Sequence, residues 1–354
     1  MALDFSQYGG PSEEWLAVER ALPPQPDFSM DPIALRAAVN GERESRAAEA
    51  MKLFAPHVQT KDYAIPTRDG ATLQARTYRS LKHDGSGKLP VYMYFHGGGF
   101  LFGSLESEDP LCAQTAINTG VVVLNVNYRH TPEHTFPTAW YDSQDAFVWL
   151  HKNIEAIGGD ASKVVVGGIS AGAQLAASLA LEQHLGKADV IKGLPTLAGQ
   201  ILIIPCLASP ATYDQGPGKQ LKSSSYVENE HAPLLPKERI ELFMSLLKTG
   251  TPDLKDTKVN IVNATPDEVR GLPPTVFGIA GLDPLRDEGL LYAKLLSEVN
   301  VPTEIRLFKG VPHGHRRFGT ALKASEHWDQ CVDEGILWVL SKPKATGRFD
   351  VKLP

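Results

Sequence analysis

Residues 163–185 read KVVVGGISAGAQLAASLALEQHL, and the order of residue types in this stretch decides the fold. A run of valines at 164–166 is what a strand buried on both faces uses. The segment after Gly172 is rich in Ala, Leu, Glu and Gln, which are strong helix formers. Between them Gly168-Ile169-Ser170-Ala171-Gly172 spells G-x-S-x-G. With this composition the pattern arises by chance about 0.15 times per chain, so the motif needs its setting. The setting is strand, tight turn, helix, which lifts a serine hydroxyl clear of the sheet as a nucleophile. Side chains at Gly168 or Gly172 would clash where strand and helix pass closely. The plainer alternative is a structural turn in which Ser170 only caps the helix.

Outward from this stretch the same alternation repeats. PVYMYF (90–95), VVVLNV (121–126), QILIIP (200–205), TVFGIA (275–280) and TEIRLF (303–308) are apolar runs of strand length. Helical segments such as WYDSQDAFVWLHKNI and EGLLYAKLLSEV lie between them. Strands alternating with helices predict an α/β fold whose central sheet is mostly parallel and covered by helices on both faces. Upstream, Asp69-Gly70 between two alternating stretches predicts a β-hairpin. Residues 1–55 read as two polar helices, the first with Pro11, Glu13 and Glu14 early in it, joined by the proline-rich LPPQPDFSM. Residues 206–270 depart from the alternation, with one good helix in PKERIELFMSLLKT, and read as an excursion that packs on the N-terminal helices as a lid.

Composition excludes several classes. The 354 residues are 42% hydrophobic and 21% charged, which suits a globular enzyme and neither a collagenous nor a disordered chain. A net charge of −6 argues against nucleic acid as a partner, since phosphate binding needs a basic surface. Cys112, Cys206 and Cys331 are too few and scattered for a disulfide framework or a zinc site. The first thirty residues hold no apolar run of signal-peptide length, and GQILIIPCLA is far short of the ~20 residues of a membrane span. A reduced, cytoplasmic protein is expected.

A serine hydroxyl is a poor nucleophile until a base takes its proton and a carboxylate orients that base. In chain order the acid and then the histidine should follow. Asp283, after TVFGIA, and His313, after TEIRLF, both stand just past strand ends, where parallel sheets place functional groups. Asp287 and Glu288 are nearer the next helix and read as first-turn acids that complement its dipole. His315 competes with His313, and spacing alone leaves both open. His96-Gly97-Gly98-Gly99 follows VYMYF and offers unobstructed N–H groups to an oxyanion. His130-Thr131-Pro132-Glu133-His134 spells H-x-x-E-H, but zinc binding needs both histidines on one helix face, which Pro132 and Pro137 prevent. Neither metal nor organic cofactor is expected. Trp15, Phe28, Phe100, Phe102, Phe243 and Met244 are candidates for pocket walls, with Phe100 and Phe102 the best placed beside the glycines.

Taken together, HGGGF (96–100), NYRHTPEHTFPTAWYD (127–142), GGISAG (167–172), DPLRDEG (283–289) and VPHGH (311–315) resemble the hormone-sensitive-lipase family of α/β-hydrolases, the group IV esterases. The likeness covers roughly residues 60–340. It implies an α/β-hydrolase core over 56–354, with a helical cap from residues 1–55 and a second insertion at 206–265. It implies Ser170 as nucleophile, His313 as base and Asp283 as its orienting acid. It also implies an oxyanion hole from the N–H groups of Gly98, Gly99 and Ala171, with Gly97 as a substitute for one glycine. Two residues depart from the family pattern. Ile169 stands where Asp or Thr is usual, and His315 where Phe is usual, so both join Phe100 and Phe102 as pocket candidates. The activity implied is hydrolysis of small carboxylic esters of short to medium acyl chain through an acyl-enzyme. A lactone or thioester hydrolase, a dehydratase or lyase, and a ligand-binding receptor without turnover are the alternatives on this scaffold. A homodimer is left open.

Overall fold

The computed structural model describes residues 2–22, 29–82 and 87–354. In chain order come α1 (Glu13–Glu19), α2 (Pro32–Phe54), β1 (Val58–Pro66), β2 (Thr72–Ser80), β3 (Leu89–Phe95), α3 (Leu105–Thr119) and β4 (Val122–Asn127). They are followed by α4 (Thr138–Lys152), β5 (Gly159–Ile169), α5 (Ala171–Leu185) and β6 (Gly199–Ile203). The short α6 (Ser225–Glu228), α7 (Lys237–Leu247) and the short α8 (Pro266–Val269) precede β7 (Thr275–Leu282), α9 (Arg286–Glu298), β8 (Thr303–Pro312), α10 (Lys323–Leu340) and β9 (Val351–Lys352).

The nine strands form one sheet in the order β1-β2-β4-β3-β5-β6-β7-β8-β9. The hairpin β1–β2 and the β2–β4 pair are antiparallel, and every later pairing is parallel. All six apolar runs are strands of this sheet, as expected from their lack of polar alternation. β3 shows why: Val91, Met93 and Phe95 pack into a cluster with residues of α4, α5 and α9, while Tyr92 and Tyr94 pack with residues of α3 and α10 on the other face. β9 was not anticipated, because two residues carry no periodic signal. α5 is almost entirely buried behind β5, so it has no polar face to display.

The excursion between β6 and β7 spans 204–274, wider than predicted, and contains short helical turns besides α7. It meets the N-terminal segment directly: Leu3 and Leu221 form a bridge, closed by Leu3 N–H to Gln220 O and Lys222 N–H to Leu3 O, both 2.8 Å. The first helix begins after Pro11, because Ser12 is its N-cap and accepts the Trp15 N–H at 3.1 Å. Phe28 lies outside the described residues. No helix among the described residues is long and apolar enough to cross a membrane.

Candidate active site

Three loops at the C-terminal edge of the parallel strands converge. β5 ends at Ile169, and Ser170 turns the chain into α5 with φ 55° and ψ −116°. A non-glycine residue with positive φ is strained, and such strain persists only where its surroundings hold it. Here Ser170 N–H donates to Ile203 O at 2.9 Å. The turn also needs the close approach of α5 to β3: a Cβ on Gly172 would lie 2.0 Å from Phe95 O. Ser170 makes no side-chain cap bond to α5, so its hydroxyl points elsewhere.

It points at His313. Ser170 Oγ–H donates to His313 Nε2 at 3.0 Å, and His313 Nδ1–H donates to Asp283 Oδ2 at 2.8 Å. Asp283 is 1% exposed, and its other oxygen accepts the Leu285 N–H at 2.9 Å. One carboxylate oxygen is thus held by backbone and the other by imidazole, which fixes the ring between acid and hydroxyl. Ser170, Asp283 and His313 form one continuous hydrogen-bond chain.

The glycine loop after β3 lies beside it. Among the described residues no acceptor takes the N–H of Gly97, Gly98, Gly99 or Ala171. The loop is braced from behind: Leu101 and Phe102 N–H donate to Gly98 O at 3.1 and 2.9 Å, and Tyr128 O–H donates to His96 O at 2.8 Å. His96 stacks on Tyr128 at 4.4 Å, and burial holds its imidazole below the ordinary pKa. From above, Asn40 on α2 bonds both the N–H and the C=O of Gly103, at 2.9 and 3.0 Å. Phe243 on α7 packs against Gly99 so closely that a Cβ there would lie 2.2 Å from its ring.

The remaining sequence candidates separate. His315 does not reach the serine and faces neither pocket nor solvent. It is fully buried between Phe308 and Trp328, with Nδ1 3.1 Å from Pro312 O and Nε2 3.2 Å from Ala324 O. This corrects its reading as a pocket residue. Phe100 is likewise a core residue, stacked on Trp140 at 4.9 Å. Ile169 touches Gly97 and otherwise lines a small void with Tyr92, Tyr94, Leu111 and Cys112 on the far side of the serine turn. Phe102 is also buried in the core cluster, where it meets Phe243 edge-on at 5.8 Å. Trp15 is fully buried against Phe318, within the core. Met244 is half-buried against the core.

Sequence reasoning missed the roles of three residues. Asp287 and Glu288 do more than complement a dipole: Asp287 accepts the Ser225 N–H at 2.7 Å, and Glu288 accepts the Leu207 N–H at 2.6 Å. Buried Arg286 holds Asp287 at 2.7 Å and Glu228 at 2.8 Å. The D-P-L-R-D-E run therefore fastens the excursion to the acid's own loop. The H-x-x-E-H residues lie on a turn, where Glu133 pairs with Arg36 of α2. The adjoining Arg129 binds the buried Asp142 through its backbone N–H at 2.9 Å and its guanidinium.

Comparisons with known proteins identify the fold and the family. A profile of the α/β-hydrolase fold matches residues 92–316. The carboxylesterase NlhH of Mycobacterium tuberculosis is 34% identical over 239 residues, covering 67% of this chain and 70% of its own. The ethyl acetate hydrolase of Pseudomonas putida is 33% identical over 297 residues, covering 84% and 86%. The crystal structure of vibralactone cyclase superposes with a TM-score of 0.83 at 27% identity, covering 97% of this chain and 98% of that one. On the extent of these matches the chain belongs to the α/β-hydrolases, as a hormone-sensitive-lipase-like and carboxylesterase-like member.

Proposed function

We propose that this protein cleaves carboxylic esters with Ser170 as nucleophile, His313 as base and acid, and Asp283 as the group that orients His313. Ester hydrolysis is the activity of its family relatives. The observation that carries the residue assignment is the unbroken chain from Ser170 Oγ through His313 to Asp283.

The ester carbonyl docks with its oxygen toward the free N–H groups of Gly98, Gly99 and Ala171. His313 Nε2 takes the serine proton as Oγ attacks, and the three N–H groups stabilise the charge that develops. Collapse expels the alcohol, which receives the proton from His313, and leaves an acyl group on Ser170. Water then repeats the sequence and releases the acid. Gly97 N–H is oriented by the same loop and substitutes if the carbonyl sits one residue deeper. Phe243 closes down on Gly99, which favours short to medium acyl chains over long ones. All groups named come from one chain, so a homodimer adds no residue to the chemistry. The three cysteines are unpaired and buried, which supports a reducing, cytoplasmic setting.

A fluorophosphonate probe tests the reading, because only an activated serine reacts with it. It should modify Ser170, and Ser170→Ala should lower kcat on p-nitrophenyl esters by about a thousandfold or more. Labelling at another serine, or an alanine variant with above about a tenth of kcat, overturns the assignment.

A further inference from the structure

The first histidine of the H-x-x-E-H turn reaches the glycine loop. His130 Nε2 stands 3.3 Å from Nε2 of His96, the residue that opens that loop. His96 is fully buried, and its ring is hemmed in: a Cβ on Gly103 would lie 2.2 Å from its Nδ1. The chain after His130 is fixed as well. Thr131 N–H and Oγ1–H donate to Phe100 O at 2.9 and 3.2 Å, and Arg36 of α2 donates to Thr131 O at 2.9 Å. The rings of His96, Tyr128 and His130 pack as one block, with centroids 4.4, 5.1 and 5.2 Å apart.

Hydrogen-bond chemistry assigns the protons in this block. His96 Nδ1 lies 3.1 Å from Gly97 O. A carbonyl oxygen only accepts, so Nδ1 carries the proton and donates. A neutral imidazole then has a bare Nε2, which must accept. His130 Nε2 stands opposite it and is therefore the protonated partner, donating to His96 Nε2. Burial holds both imidazoles below their ordinary pKa, which keeps both rings neutral near pH 7 and a single proton in the bridge.

The bridge matters because of what Gly97 O is attached to. A peptide unit is planar and trans, so Gly97 C=O and Gly98 N–H point in opposite directions from one rigid plate. Whatever holds Gly97 O therefore aims Gly98 N–H, the first donor of the oxyanion hole proposed above. The preceding plate, His96 C=O with Gly97 N–H, is held by Tyr128 in the same manner. Without a donor at its Nε2, His96 is free to take the other tautomer, whose bare Nδ1 sets lone pair against lone pair at Gly97 O. We propose that His130 is a positioning residue for ester hydrolysis: by donating to His96 Nε2 it fixes the tautomer that holds Gly97 O, and so aims Gly98 N–H at the developing oxyanion. This rests on the ester-hydrolase reading above and adds to it a residue that acts only through another.

The test compares the wild type with His130→Gln, His130→Asn and His130→Leu on p-nitrophenyl acetate, each below its melting temperature. Gln carries an amide N–H close to the place of the histidine Nε2, Asn falls short of it, and Leu has no donor. Removing an oxyanion donor costs about a hundredfold to a thousandfold in kcat, and misaiming one costs less. The Asn and Leu variants should therefore lose about tenfold in kcat with KM within about twofold of the wild type, while Gln keeps about half of kcat or more. A trifluoromethyl ketone, whose adduct with Ser170 carries the oxyanion, should bind the Asn and Leu variants about tenfold more weakly. Imidazole nitrogen spectra read the tautomer directly: His96 should be protonated at Nδ1 in the wild type and the Gln variant, and shift toward Nε2 in the Asn variant. Equal kcat in the Gln and Asn variants, a loss carried by KM, or His96 protonated at Nε2 in the wild type overturns the proposal. If the Leu variant fails to fold, the contrast between Gln and Asn decides alone. A wild type that turns over the ester while the Asn variant matches it overturns the positioning role only. A wild type with no turnover overturns the ester reading itself, and the role with it.

Discussion

His313 and His315 are separated by one glycine and share a sequence context, yet their surroundings give them opposite work. His313 is 13% exposed and lies between a hydroxyl and a carboxylate. His315 is sealed between two aromatic rings, and burial pulls its pKa from 6.5 down to about 4. The unfolded chain therefore takes up a proton at this residue before the folded one does. The resulting stability is whole above about pH 6.5 and is lost as pH falls toward about 4, a change of order 3 kcal/mol. Thermal melts at about pH 7 and about pH 4.5 should show a larger fall in Tm for the wild type than for His315→Phe, which keeps the ring packing and removes the proton site. On the enzyme side, His313→Ala should lose several orders of magnitude in kcat while His315→Phe keeps most of it. Equal acid sensitivity in both proteins, or an inactive His315→Phe, would show that His315 is something other than a neutral core histidine.

At the scale of elements, the loop after β7 carries two tasks at once. Asp283 accepts from His313, as the proposed triad requires, and Arg286, Asp287 and Glu288 hold the excursion over it. Arg286 and Asp287 are both fully buried, so their pairing matters mainly when one partner is removed. Arg286→Leu should destabilise the protein by about 3–5 kcal/mol, because it leaves the Asp287 charge buried with only the Ser225 N–H for support. Urea unfolding measures the loss, and limited proteolysis near Ser225 should quicken. A loss below about 1 kcal/mol would mean that solvent replaces the arginine or that Asp287 takes up a proton and is buried neutral. The strands and the serine turn were legible in the sequence because buried parallel strands and tight turns restrict residue type locally. The buried pairs were not legible. Glu288 meets Leu207 and Arg129 meets Asp142 only after the chain has folded, and nothing in either local pattern sets these residues apart from ordinary helix-end or surface charges.

Across the whole molecule residues 2–22 join parts that are far apart in sequence. Leu3 pairs with Leu221 of the excursion, and Ser12 N–H donates to Gly310 O of β8 at 2.9 Å. Glu14 accepts the Lys323 N–H at the start of α10 at 2.8 Å, and Trp15 fills the core beside Phe318. From sequence this segment read as a polar cap with Trp15 as a candidate pocket wall, because its composition could not reveal that Trp15 packs against Phe318 on the turn after His313. The observed contacts bracket that turn: Gly310 precedes it and Phe318 follows it. Removing the segment should therefore act on the position of His313 as well as on access to Ser170. Trp15→Ala should cost about 3–5 kcal/mol, the usual range for emptying a fully buried aromatic site. A chain starting at residue 23 should melt lower than the wild type and lose kcat even on a small ester such as p-nitrophenyl acetate, for which a cover gives little selectivity. The same truncation at a temperature well below its melting point separates the two effects. If the folded, truncated protein changes KM across acyl lengths while its kcat on the acetate stays at the wild-type value, the segment is a cover alone. A fall in kcat by about tenfold or more with the secondary structure intact would place it among the supports that hold the base within reach of the serine.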